Sequence, residues 1–155
     1  MSKKHPIIAV TGSSGAGTSI AKSAFMYIFR KNGISPAIID GDCFHRYNRN
    51  EMDNLSAEAE KNGKNLTHFG PEGNLFEELE SVFSEYGKNG TGKRRFYVHD
   101  EKEASEHSGA PGTLTPWESL EENTDLLFYE GLHGGLVTDK INVAKQVDLL
   151  IGVTP

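Results

Sequence analysis

Cysteine is nearly absent from this sequence: Cys43 is the one cysteine in 155 residues. A single thiol cannot build an internal disulfide framework, and no CxxC pair stands ready for a metal, so a reducing, cytoplasmic setting is expected. His5, His68, His107 and His133 follow no H-x-x-x-H or Cys/His spacing, so no zinc site is assigned. Basic residues are in short supply as well. The 16 Lys and Arg against 22 Asp and Glu leave a net charge of −6, which argues against a nucleic-acid or anionic-membrane partner. A polyanionic ligand must then be held by local groups. Long apolar runs are also missing. Met1 to Pro6 lead into only five apolar or small residues before Gly12, too few for a signal peptide or a membrane span, and no targeting segment is read there. Internal repeats and low-complexity tracts are absent.

With 36% hydrophobic and 25% charged residues, the composition is that of a single soluble domain over residues 1–155, long enough for one core. Residues 7–10 form a β-branched run that stops at a Gly/Ser cluster, as a strand buried on both faces would. Helical periodicity follows: Ile20, Ala24, Tyr27 and Ile28 recur at i, i+4, i+7 and i+8, Ala21, Phe25 and Phe29 widen the stripe, and Gly33 ends it. Pro36 to Asp40 reads as a second strand, and the polar stretch 51–65 as loop or marginal helix. Leu75, Leu79, Val82, Phe83 and Tyr86 restore a helical stripe, closed at Gly87. Residues 95–98 read as a short strand, 101–116 as a turn-rich excursion, and 125–129 and 147–153 as buried strands. The alternation predicts an α/β fold: a mostly parallel sheet with flanking helices, whose ligands lie at the carboxyl ends of the strands.

The residues after those strands carry the chemistry. Gly12, Ser13, Ser14, Gly15, Ala16, Gly17, Thr18 and Ser19 match G-x-x-x-x-G-K-[ST] at every fixed position except the lysine, where Thr18 stands. Such glycines let backbone N–H groups turn around phosphate oxygens, the next helix presents its positive end, and Ser19 offers a hydroxyl for Mg²⁺. The plain alternative is a flexible turn. After the second strand come Asp42, His45, Arg46 and Arg49. A kinase acting on a sugar hydroxyl needs a carboxylate to take the proton and cations to anchor a phosphate, and this segment offers both. Were residues 43–50 helical, at least two of these cations could share a face; the plain alternative is that Asp42 is an N-cap and the basic residues a solvated surface, and Asp42 could cap while also serving as base. Glu130, at the end of an apolar strand, stands where a nucleotide kinase needs an acid near its metal. Tyr97, His99 and Asp100 make a further cluster, beside basic Lys93, Arg94 and Arg95, for which spacing does not decide between substrate binding and the commoner structural His–Asp pair.

Taken in order and spacing, the segments 12–19, 41–49, 97–100 and 128–134 resemble the bacterial branch of the phosphoribulokinase family, from about Lys4 to Pro155. The resemblance implies a P-loop nucleoside triphosphate hydrolase-like fold and the ATP-dependent phosphorylation of D-ribulose 5-phosphate to ribulose 1,5-bisphosphate in the Calvin cycle. It further implies ATP on residues Gly12 to Ser19, Asp42 as general base, and His45 and Arg49 on ribulose 5-phosphate. The same resemblance places His99, with Tyr97, near the sugar phosphate and Mg²⁺ on Ser19 and Glu130, and it implies a homo-oligomer for the full-length protein. Threonine at the lysine position is normal in that branch. Members of the family continue well past the point where this sequence stops, so it is expected to be an amino-terminal portion. A uridine-kinase-like or pantothenate-kinase-like enzyme, or a non-catalytic ATP-binding module, are the rival readings.

Overall fold

The computed structural model describes residues 4–155; Met1 to Lys3, part of the stretch read above for a targeting signal, lie outside the described residues. The chain runs β1 (Ile7–Gly12), α1 (Thr18–Lys31), β2 (Pro36–Asp40), α2 (Arg49–Lys61), α3 (Phe76–Asn89), β3 (Lys93–Arg94), α4 (Glu101–His107), β4 (Glu118–Ser119), β5 (Leu126–Gly131) and β6 (Leu149–Val153), with 3₁₀ turns at Gly41–Phe44 and Ala144–Gln146. Four strands form the main sheet in the order β2-β5-β1-β6, and every pairing is parallel. Because side chains alternate across a strand, Ile7, Ala9, Ile39, Leu127 and Tyr129 meet α3 residues Leu79, Val82, Phe83 and Tyr86 on one face. Val10, Leu126 and Phe128 meet α1 on the other. Two-sided burial explains why the central strands read as unbroken apolar runs.

Several elements depart from the expectations. On α1 the inward face is Ala21, Phe25 and Phe29, while Ile20 is 77% and Tyr27 59% exposed. The aromatic rings decide the rotation, since Phe25 and Phe29 lie 5.2 and 5.7 Å from Phe128. The polar stretch after residue 49 is a full helix, α2, started by a capping box between Asn48 and Glu51 and fastened by buried Met52. Helix α3 passes Gly87 and ends at Gly90, whose φ of 70° suits a C-cap. Residues 95–98 form no strand; β3 is only Lys93–Arg94, paired with β4, and Tyr97 bridges to Leu114. The turn-rich excursion holds α4, capped by Asp100. Strand β6 is not buried but an edge, with Leu149 and Leu150 nearly half exposed. Among the described residues, no helix is long and apolar enough to cross a membrane.

Candidate active site

A parallel sheet brings all its strand ends to one edge, and here that edge carries the loop after β1, the turn after β2 and the last residues of β5. Gly41 and Gly131 let the last two meet: a Cβ on Gly131 would sit 2.8 Å from the Gly41 Cα. Between these segments opens a cleft of about 730 Å³, bordered by the glycine loop, Asp40, Asp42, His45, Tyr97, His99 and Glu130.

On one side of the cleft lies the loop. Gly15 and Gly17 adopt φ of 81° and 100°, which side chains resist, and Gly17 is the N-cap of α1 with no side chain bonded across the helix start. The Thr18 and Ser19 amides therefore remain available to an anion, with the helix dipole behind them, whereas the Ile20 amide already donates to the Gly17 carbonyl at 3.1 Å. Ser13, Ser14, Thr18 and Ser19 line the cleft. In register with Glu130 are Val10 of β1 and Asp40 of β2, so Glu130 stands at the sheet edge beside the loop. Ser19 and Glu130 offer hard oxygen donors of the kind Mg²⁺ takes when it also holds phosphates. Lys22 Nζ lies 2.5 Å from Asp40 Oδ1 on the same wall.

Across the cleft, the 3₁₀ turn points Asp42 at two imidazoles. His99 Nε2 is 2.8 Å from Asp42 Oδ2 and His45 Nε2 is 3.3 Å from Asp42 Oδ1. The other ring nitrogen of each is also engaged. His45 Nδ1 is 3.0 Å from Asn74 Oδ1, and since the Asn74 amide donates to the His68 and Gly70 carbonyls at 2.7 and 2.9 Å, its oxygen must face the ring and His45 Nδ1 must donate. His99 Nδ1 is 2.8 Å from Glu103 Oε2. The hydrogen bond with His45 is the largest influence on Asp42. Against the opposing effect of burial, and with His99 adding to it, this holds the carboxyl down at about 2. Burial alone would lower the pKa of His99, but the hydrogen bonds to Glu103 and Asp42 outweigh it and raise the pKa. Cys43, inside the same turn, is buried, which pushes its thiol up to about 12 and excludes it as a nucleophile.

Residues 7–155 match the family described as Phosphoribulokinase / Uridine kinase family. The chain belongs to this family. It is 56% identical over 156 residues to the phosphoribulokinase of Nitrobacter vulgaris, covering 100% of this chain and 54% of that protein. It superposes on the structure of phosphoribulokinase from Rhodobacter spheroides with a TM-score of 0.88 and 45% identity, covering 99% of this chain and 52% of the other. The structure of a possible uridine kinase from Bacillus stearothermophilus shares the fold at 14% identity and a TM-score of 0.62, with coverage of 98% and 72%. The chain thus spans about half the length of the phosphoribulokinases it matches.

Of the residues singled out from the sequence as this family's site, the cleft gathers Gly12, Ser13, Ser14, Gly15, Thr18, Ser19, Asp42, His45, Tyr97, His99 and Glu130. Ala16 and Gly17 complete the loop behind them. Arg49 is not among the cleft residues: as the first residue of α2 it donates to the His99 carbonyl at 3.1 Å. His45 and Arg49 share no helical face, because the chain leaves the 3₁₀ turn at His45 before α2 begins. Among the described residues, Lys22 and Arg95 are the only Lys or Arg lining the cleft, and sequence reasoning missed both. Arg95 donates to the Cys43 and His45 carbonyls at 2.9 and 2.7 Å and lies 4.5 Å from the Trp117 ring centre, so it braces the Asp42 turn. Lys22 was findable: it falls one helical turn beyond Thr18, and helical side chains lean toward the helix start. Asn74 left no local signal, since it acts on His45, 29 residues away, whereas Glu103 lies just outside the motif string, four residues past His99.

Proposed function

We propose that this chain is the nucleotide- and sugar-phosphate-binding portion of a phosphoribulokinase, which moves the γ-phosphoryl group of ATP onto D-ribulose 5-phosphate to give ribulose 1,5-bisphosphate and ADP, the step that primes the Calvin cycle's carbon-fixing reaction. The observation that carries this reading is Asp42, ionised and flanked by two imidazoles, in the same cleft as an uncapped glycine-loop helix start. Backbone N–H groups between Ser13 and Ser19 hold the phosphates of ATP. Lys22, exchanging Asp40 for a phosphate oxygen, supplies charge that Thr18 lacks. Mg²⁺, on Ser19 and Glu130, would neutralise charge on those phosphates. Asp42 accepts the proton of the attacking sugar hydroxyl as its oxygen bonds to the γ-phosphorus and ADP departs. His45, Tyr97 and His99 face the sugar phosphate, with Arg49 supporting His99 from behind.

The test is ADP release from MgATP with ribulose 5-phosphate, uridine or pantothenate as acceptor. It is run on the chain as it stands and on a version joined to the remaining half of the Nitrobacter vulgaris relative. ADP formation dependent on ribulose 5-phosphate alone is expected. Turnover with uridine or pantothenate instead, or nucleotide binding with no turnover in either version, sinks the reading.

A further inference from the structure

Asp42, His99 and Glu103 form a carboxylate–imidazole–carboxylate line that joins the turn after β2 to the start of α4. Glu103 Oε2 accepts from both the backbone N–H and Nδ1 of His99, each at 2.8 Å. The Asp100 carboxylate accepts the Glu103 amide at 2.9 Å, which fixes the first turn of α4. Since Nδ1 donates to Glu103, a hydrogen bond at 2.8 Å between Nε2 and Asp42 Oδ2 requires a second ring proton, so the arrangement is complete only with imidazolium.

We propose that Glu103 is a positioning residue that, through His99, fixes the direction in which the Asp42 carboxylate faces the acceptor's proton. The catalytic half of this inference rests on the assignment of Asp42 as general base; the hold of Glu103 on His99 does not. The remaining groups around His99 do not duplicate that hold: Arg49 reaches only its carbonyl, Tyr97 presents a ring 5.0 Å away, His45 lies across Asp42, and Asp100 is occupied with the α4 cap. The raised pKa of His99 and the lowered pKa of Glu103, in which the bonds from His99 overcome the opposing effect of burial, fit the same charge pairing.

The charge is separable from the helix start, because Gln at 103 keeps an oxygen acceptor for both His99 donors. In Glu103→Gln and Glu103→Ala, the ring nitrogens of His99 are followed through a pH titration by long-range ¹⁵N NMR on this chain, beside thermal melting. We expect the His99 titration to move to lower pH in both variants, with the melting temperature of Glu103→Gln close to wild type. In a version that turns over, Glu103→Gln should lower kcat with little change in the KM for MgATP. An unmoved His99 titration in the folded variants overturns the proposal. A wild-type chain that phosphorylates no acceptor, with the titration still shifted, refutes the kinase reading and its catalytic half while the Glu103–His99 link stands.

Discussion

At the scale of single residues, Asp42 concentrates the argument. Folding lowers its pKa from 3.8 to about 2, so its pairing stabilises the native state fully above about pH 4, and that stability is lost as pH falls through about 2. His99 works in the opposite sense: its raised pKa adds stability that is present below 6.5 and fades as pH rises through the folded value. Asp42→Asn should lower kcat in an active version by roughly 10²–10⁴-fold, the usual cost of losing a general base, and leave the affinity for MgATP near its wild-type level. It should also shift His99 titration downward. Near-normal turnover in Asp42→Asn would remove the base assignment. Asp42, His45 and His99 were legible because they sit in contiguous strings after predicted strands. Glu103 was not, because its role appears only when α4 is folded against the Asp42 turn; Lys22 could be read from its place one turn beyond Thr18, but its pairing with Asp40 needed the fold.

The elements were read unevenly, and the reason differs for each. The central strands β1 and β5 were found because two-sided burial demands unbroken apolar runs, and β2, at one end of the sheet, from the short apolar run that closes at Asp40. For α1 the periodicity identified a helix but not its face: apolar residues cover most of its circumference, and only the fit of Phe25 and Phe29 to Phe128 selects the inward side. Helix α2 escaped notice because its evidence is at its end rather than along its length. It has a single buried side chain, Met52, and the Asn48–Glu51 box satisfies the helix start at 2.8 and 2.9 Å. A helix so dependent on its cap should feel the loss: Asn48→Ala should cost about 1 kcal/mol, measured by urea denaturation. A cost below a few tenths would mean that Met52 and the flanking loops hold α2 without the cap. The motif strings after β2 are contiguous in sequence but not in element, since a 3₁₀ turn, a bridge and a helix divide them, and that division puts His45 in the cleft and Arg49 behind it.

For the whole molecule, the α/β sheet was legible in the sequence and the motif residues do gather at its carboxyl edge, but the burial of β6, one of the two end strands, was overstated. Val147 to Val153 is apolar enough to read as interior, yet β6 pairs with β1 alone among the described strands, and Leu149 and Leu150 are 47% and 46% exposed. Periodicity reports what a segment prefers; whether a neighbour is there to satisfy it is a property of the assembled fold. An apolar strand edge is a template for pairing with another chain, and the outward Ile20, Tyr27 and Ile28 of α1 add apolar area elsewhere on the surface. The chain should therefore self-associate as its concentration rises, with β6 as the principal contact. Replacing both Leu149 and Leu150 by Lys adds charge at the edge without removing a buried core side chain, and charged edges resist strand addition. Sedimentation velocity at matched loadings should show the wild-type chain shifting to larger species while the double variant stays monomeric. Far-ultraviolet circular dichroism should show the same secondary structure in both. If both chains sediment alike across the concentration range, exposure of β6 does not drive association, and the α1 face becomes the surface to alter next.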